Sequence, residues 1–121
     1  MPTEYNPPVV EFLTKEDRAA WYNSETKFYV IAAAQVAGNF GPSARYTLQP
    51  VDEDGQPGEA RYISFALTDQ KTGAEIARRV DELTWFETVL NEPGSDSVGP
   101  LTLSQVPTSK GNAAWVFKAV K

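Results

Sequence analysis

Over residues 27–37 apolar side chains occupy both parities of the chain: Phe28, Val30, Ala32, Ala34 and Val36 on one, Tyr29, Ile31, Ala33 and Ala37 on the other. Aromatic and β-branched residues open the run, so the pattern predicts a long strand covered on both sides over part of its length. The alanines predict tight curvature or close packing there. Cleaner alternation follows. Tyr46 and Leu48 alternate with Arg45, Thr47 and Gln49 over 44–51, and Ile63, Phe65 and Leu67 alternate with Tyr62, Ser64 and Ala66 over 61–67. Each of these predicts a half-buried strand. Gly38-Asn39-Phe40-Gly41-Pro42 predicts the loop before the second strand, and Asp54-Gly55-Gln56-Pro57-Gly58 a hairpin turn before the third.

The period then lengthens. Ile76, Val80 and Leu83 recur at i, i+4 and i+7 behind Thr72-Gly73, which predicts a helix running to about Leu90. Thr84 and Glu87 form a capping-box pattern that allows a kink, and Glu92-Pro93-Gly94 is the stop signal. Two more strands are expected at 101–106 and 113–120, joined by a turn over 108–112. In front of the whole pattern, Thr14 reads as an N-cap with Glu16 and Asp17 in the first turn, predicting a short helix over 15–22. Residues 1–13, interrupted by Tyr5-Asn6-Pro7-Pro8, predict an extended or mobile arm. Five antiparallel strands with one helix between the third and fourth follow the order of the five-stranded OB-fold barrel, β-β-β-α-β-β. The expectation is a mainly β protein: an OB-fold domain over 14–121 behind an arm at 1–13.

Composition narrows the chemistry. A chain of 121 residues with 41% hydrophobic and 22% charged residues has the size and balance of one globular domain. No apolar stretch approaches the roughly 18 residues of a membrane span, so no membrane association is expected. Met1-Pro2-Thr3-Glu4 lacks the basic and apolar regions of a signal peptide, so the expected location is the cytoplasm, or the host cytoplasm if the chain is viral. The sequence holds no cysteine, which excludes disulfides, thiolate nucleophiles and cysteine-ligated metals. It holds no histidine either, removing the usual general base and the commonest transition-metal ligand. Gly-rich phosphate loops, G-x-S-x-G and EF-hand spacings are also missing, and the carboxylates show no catalytic spacing. We therefore expect no enzyme, no cofactor and no metal.

Net charge is −5, but its distribution matters more than its sum. Acids gather near the N-terminus (Glu4, Glu11, Glu16, Asp17, Glu25), in one turn (Asp52, Glu53, Asp54, Glu59) and on the predicted helix (Glu75, Asp81, Glu82, Glu87) and its end (Glu92). Residues 27–51 hold Lys27 and Arg45 with no carboxylate, and 97–121 hold Lys110, Lys118 and Lys121 with none. The distribution allows one basic face on an acidic protein; ordinary solubility charge is the plainer alternative.

The segments GNFGPSARYTLQP and GPLTLSQVPTSKGNAAWVFKAV resemble the small phage-type single-stranded-DNA-binding OB-fold proteins. In that family a long first strand ends in an N-[FY]-G-P loop before an xxxTL second strand, and the last two strands form a GPLxL…G-N…[WF] hairpin. The likeness covers about residues 12–120, including the opening FLTKED. The acidic turn Asp52-Glu53-Asp54 is where the chain departs from it. The resemblance implies binding of single-stranded DNA without sequence specificity, for replication, recombination or strand protection. Other replication or recombination proteins are further candidate partners.

Such binding needs flat rings for bases to stack on and cations that follow the phosphates. On an OB barrel the surface is the face of the second and third strands, flanked by the loop after strand one and the last hairpin. Arg45, Thr47, Gln49, Tyr62 and Ser64 would face outward there, with Arg61 at the border. Phe40 sits in the first flanking loop, and Lys110 and Asn112 in the second. The candidate set is Phe40, Arg45, Thr47, Arg61, Tyr62, Lys110 and Asn112. Each has a structural alternative. Tyr62 can pack beneath a loop, Phe40 can plug the barrel end, and Arg45 and Arg61 have Glu59 and the acidic turn in reach. Trp115, sharing a face with Phe117, is expected in the core; Arg78 and Arg79 are expected on a solvated helix face. The rival function is an OB-type module for protein–protein contact, which the overall acidity suits.

Overall fold

Thr14 opens the first helix through a reciprocal cap. The Asp17 amide donates to the Thr14 hydroxyl at 3.0 Å, and the Thr14 amide donates to the Asp17 carboxylate at 3.1 Å. The helix α1 (Lys15–Asn23) follows a two-residue strand β1 (Glu11–Phe12), and the long strands β2 (Lys27–Gly38), β3 (Gly41–Val51) and β4 (Arg61–Ala66) come next. Then come α2 (Ala77–Leu90), β5 (Val98–Pro107) and β6 (Ala113–Ala119). The structure is a computed structural model that describes residues 10–38, 41–107 and 113–120. No helix among the described residues is long and apolar enough to cross a membrane.

The strands form one six-stranded sheet in the order β1-β4-β3-β2-β5-β6, antiparallel except for β1, which runs parallel to β4. The sheet is mixed and does not close, which corrects the expected closed five-stranded barrel. β4 and β6 share no backbone ladder among the described residues. Two local reasons stand out. β1 occupies the outer edge of β4 at Arg61 and Tyr62. Farther along, side chains rather than backbone bonds fill the space between β4 and β6. The ring of Phe117 on β6 lies 5.6 Å from Phe65 on β4, 5.6 Å from Phe86 on α2 and 5.1 Å from Tyr46 on β3.

Arg79 completes that junction. Its guanidinium lies 3.9 Å over the Phe65 ring, donates to the Trp115 carbonyl at 2.6 Å and pairs with Glu82 at 3.2 Å. The expectation of a solvated Arg79 is thus wrong: the residue is 7% exposed. Arg78, its neighbour, is exposed as expected. The core beneath is led by Tyr46, Phe28, Leu48, Ile63 and Val30, all essentially inaccessible. Trp115 packs on its margin, half-buried and edge-on to Tyr22.

β2 carries the largest departure from simple alternation. Its register with β3 shifts between Val30 and Ala32, so that one residue bulges out. Before the bulge Phe28 and Val30 face the core; after it Ala33, opposite Tyr46, packs against the core, while Ala32 and Ala34 oppose Thr47 and Arg45. The apolar residues of both parities therefore reflect a switch of face within one strand. α2 also differs: it starts at Ala77 and continues without a break past Thr84, whose hydroxyl donates to the Val80 carbonyl. It ends at Leu90, before the predicted stop. Of the predicted arm, residues 10–13 are described and 11–12 form β1; the remainder lies outside the described residues.

Candidate nucleic-acid interface

Alternation along β3 and β4 sends Tyr46, Leu48, Ile63 and Phe65 inward and leaves Arg45, Thr47, Tyr62 and Ser64 on the opposite face. The ladder register sets Thr47 opposite Tyr62 and Arg45 opposite Ser64. The Arg45 guanidinium lies 4.4 Å from the centre of the Tyr62 ring, a cation–π contact. No carboxylate among the described residues pairs with Arg45. On the far side of Tyr62, the Phe12 ring on β1 stands 5.3 Å away at 56°. Arg45, Tyr62 and Phe12 thus form a row across three strands, β3, β4 and β1. Phe12, 51% exposed, is its open end.

Sequence reasoning placed Phe12 in an arm and missed it. Adjacent residues of an extended chain point to opposite sides, so the sequence says only that Phe12 and Leu13 part; the fold decides which one is buried. Leu13 goes into the core at 6% exposure and its amide donates to the Tyr62 carbonyl at 2.8 Å; Phe12 is therefore turned out. Beside the row runs a groove of about 390 Å³ bounded by Phe12, Val36, Gly38, Ser43, Ser64 and Ala66. None of its lining residues is charged.

Arg61 has a different position from the other candidates. Its Nη2 donates to the Phe12 carbonyl at 2.9 Å and to Asp17 at 2.6 Å, and its Nε donates to the Glu11 carbonyl at 3.2 Å. The guanidinium is engaged on β1 and α1, with Asp17 as the partner in place of the expected Glu59 or acidic turn. The Thr14 backbone N–H, and then Arg61, hold the Asp17 carboxyl below its ordinary value of 3.8. Phe40, Lys110 and Asn112 lie outside the described residues.

The charge of the surroundings favours an anion more than the net charge suggests. β2, β3, β4, β5 and β6 contain no Asp or Glu, and they carry Lys27, Arg45, Arg61 and Lys118. The acids sit on helices, turns and β1. Asp52, whose carboxylate caps its own turn by accepting from the Asp54 and Gln56 amides, stands past the opposite end of β3 from the groove. Six residues of strand lie between it and Arg45, a distance of about 23 Å. At a physiological Debye length of about 8 Å that distance screens most of its field. Among the described residues no group of three or more potential ligands is arranged to hold a metal ion.

Compared with protein-family models, curated proteins and solved structures, the chain matches none.

Proposed function

We propose that this protein binds single-stranded DNA without sequence preference, across the outer face of β3 and β4, on an OB-type barrel left open between β4 and β6. The strand order with α2 between β4 and β5 supports the OB reading, and OB barrels are themselves partly open. The observation that carries the binding reading is the row Arg45–Tyr62–Phe12, two of its three residues on strands without acids, beside an uncharged groove. Rings accept any base by stacking, and a single stacked cation neutralises phosphate without reading sequence. Strand protection during replication or recombination is the role that suits such a surface, and it requires neither catalysis nor cofactor.

Fluorescence anisotropy with a labelled oligothymidylate at low salt tests this directly. Tyr62→Ala should weaken binding by about 1–3 kcal/mol, the usual worth of one stacked base. If the wild-type protein shows no binding at low salt, the protein-contact module becomes the better reading. Trp85 on α2, 53% exposed, would then be the first residue to examine as its contact.

A further inference from the structure

The candidate row joins Phe12 to Tyr62, 50 residues later in the chain, and its outer ring is held by little of its own. β1 is two residues long and pairs with β4 only at Glu11–Arg61 and Phe12–Tyr62. So short a ladder is not stable by itself. What holds it is Arg61, which grips both β1 carbonyls, together with the insertion of Leu13 into the core. Arg61 is in turn held from behind by Asp17, the third residue of α1, whose carboxylate also completes the Thr14 cap. One carboxylate therefore ties the start of α1, the β4 edge and the strap into a single unit.

We infer that Arg61 and Asp17 act as positioning residues: they clamp β1 onto β4 so that Phe12 stands as the outermost ring of the binding surface. This rests on the single-strand-binding reading and deepens it. It gives Arg61 a task other than touching phosphate, and it makes Asp17, an acid close to a DNA surface, favourable for binding.

The sign of the Asp17 effect separates the clamp from plain electrostatics. Removing a carboxylate near bound DNA strengthens binding if charge alone matters. If Asp17 holds the strap, Asp17→Asn weakens it. The experiment is anisotropy with a labelled oligothymidylate on wild type, D17N, F12A, R45A, R61K and the doubles D17N/F12A and D17N/R45A. Hydrogen exchange of the Leu13 amide is followed in parallel, and thermal melts confirm folding.

We expect D17N and F12A each to lose roughly tenfold in affinity, the worth of about one stacked ring. D17N/F12A should bind no more weakly than F12A, whereas D17N/R45A should multiply the two losses. R61K keeps the charge but not the planar fork that spans two carbonyls and a carboxylate, so it should lose as D17N does. Leu13 exchange should accelerate in D17N. Tighter binding by D17N, full affinity in R61K, or multiplied losses in D17N/F12A would each overturn the clamp. So would unchanged Leu13 exchange in a folded D17N. If Leu13 exchange accelerates in D17N but wild type does not bind the oligonucleotide, the clamp stands and the single-strand reading falls.

Discussion

At the scale of single residues, Arg79 ties α2 to β4 and β6. Burial lowers its pKa from the ordinary arginine range and Glu82 opposes that shift; a guanidinium stays charged in proteins, so the largely enclosed site holds a cation. Truncating it uncovers the Phe65 ring, leaves the Trp115 carbonyl without its donor and leaves Glu82 without its partner. Arg79→Ala should therefore cost about 3–5 kcal/mol, the range for breaking one side of an enclosed ion pair. Arg79→Met, which keeps the stem over Phe65, should cost less. Urea unfolding of the two variants measures this, and a loss under about 1 kcal/mol in Arg79→Ala would show that the seam does not need it. Nothing local announces the role. Arg79 and Glu82 stand at i, i+3 and read as a solvated helix pair; Phe65 and Trp115, which bury the guanidinium, are distant in the chain. Arg45 and Tyr62 are the opposite case: alternation alone put both on the outer face of adjacent strands.

Among the elements, β2 decides which residues the sheet turns inward. Without the bulge, Ile31 and Ala33 would share a face. With it, Ile31 is 37% exposed while Ala33 packs toward Tyr46. The two positions should answer substitution differently. Ile31→Thr should change stability by no more than about 0.5 kcal/mol, as surface changes do. Ala33→Leu should cost about 1–3 kcal/mol through overpacking. Equal costs in chemical denaturation would mean that the two side chains share one environment. The bulge escapes sequence reading because an inserted residue leaves the composition of a strand intact and changes only its pairing. Gly99 marks the other constraint on β2: a Cβ there would sit 2.9 Å from the Phe28 carbonyl, so β5 can approach β2 this closely only with glycine. The first helix, by contrast, was legible from Thr14 and its acids alone, because a cap is made within four residues.

For the whole molecule, the arrangement of charge sets how binding should respond to salt. With Arg61 engaged on β1 and α1, Arg45 is the described candidate free to meet phosphate, and Lys110 lies outside the described residues. One such contact gives a slope of log affinity against log salt of about −0.7 on single strands, and two give about −1.4. Anisotropy titrations across a series of salt concentrations would read it. A slope steeper than about −3 would mean that cations outside this face carry the binding. The shallow dependence follows from a surface that relies on rings more than on charge, in a protein whose net charge is −5.

What the sequence determined by itself was whatever neighbours along the chain decide. The five expected strands, β2 to β6, appear within a few residues of their expected limits, α1 starts at its cap, α2 stops ahead of Glu92-Pro93-Gly94, and the inward and outward sets of β3 and β4 follow their alternation. Each of these rests on backbone preference or side-chain period over a few residues. The tertiary structure alone decided the open seam between β4 and β6, the parity switch in β2, the burial of Arg79 and the arrival of Phe12 beside Tyr62. All four depend on contacts between segments more than ten residues apart. Their energies come from packing and pairing that no local pattern encodes, and so the candidate site was half readable: its β3 and β4 residues from the alternation, its outer ring only from the fold.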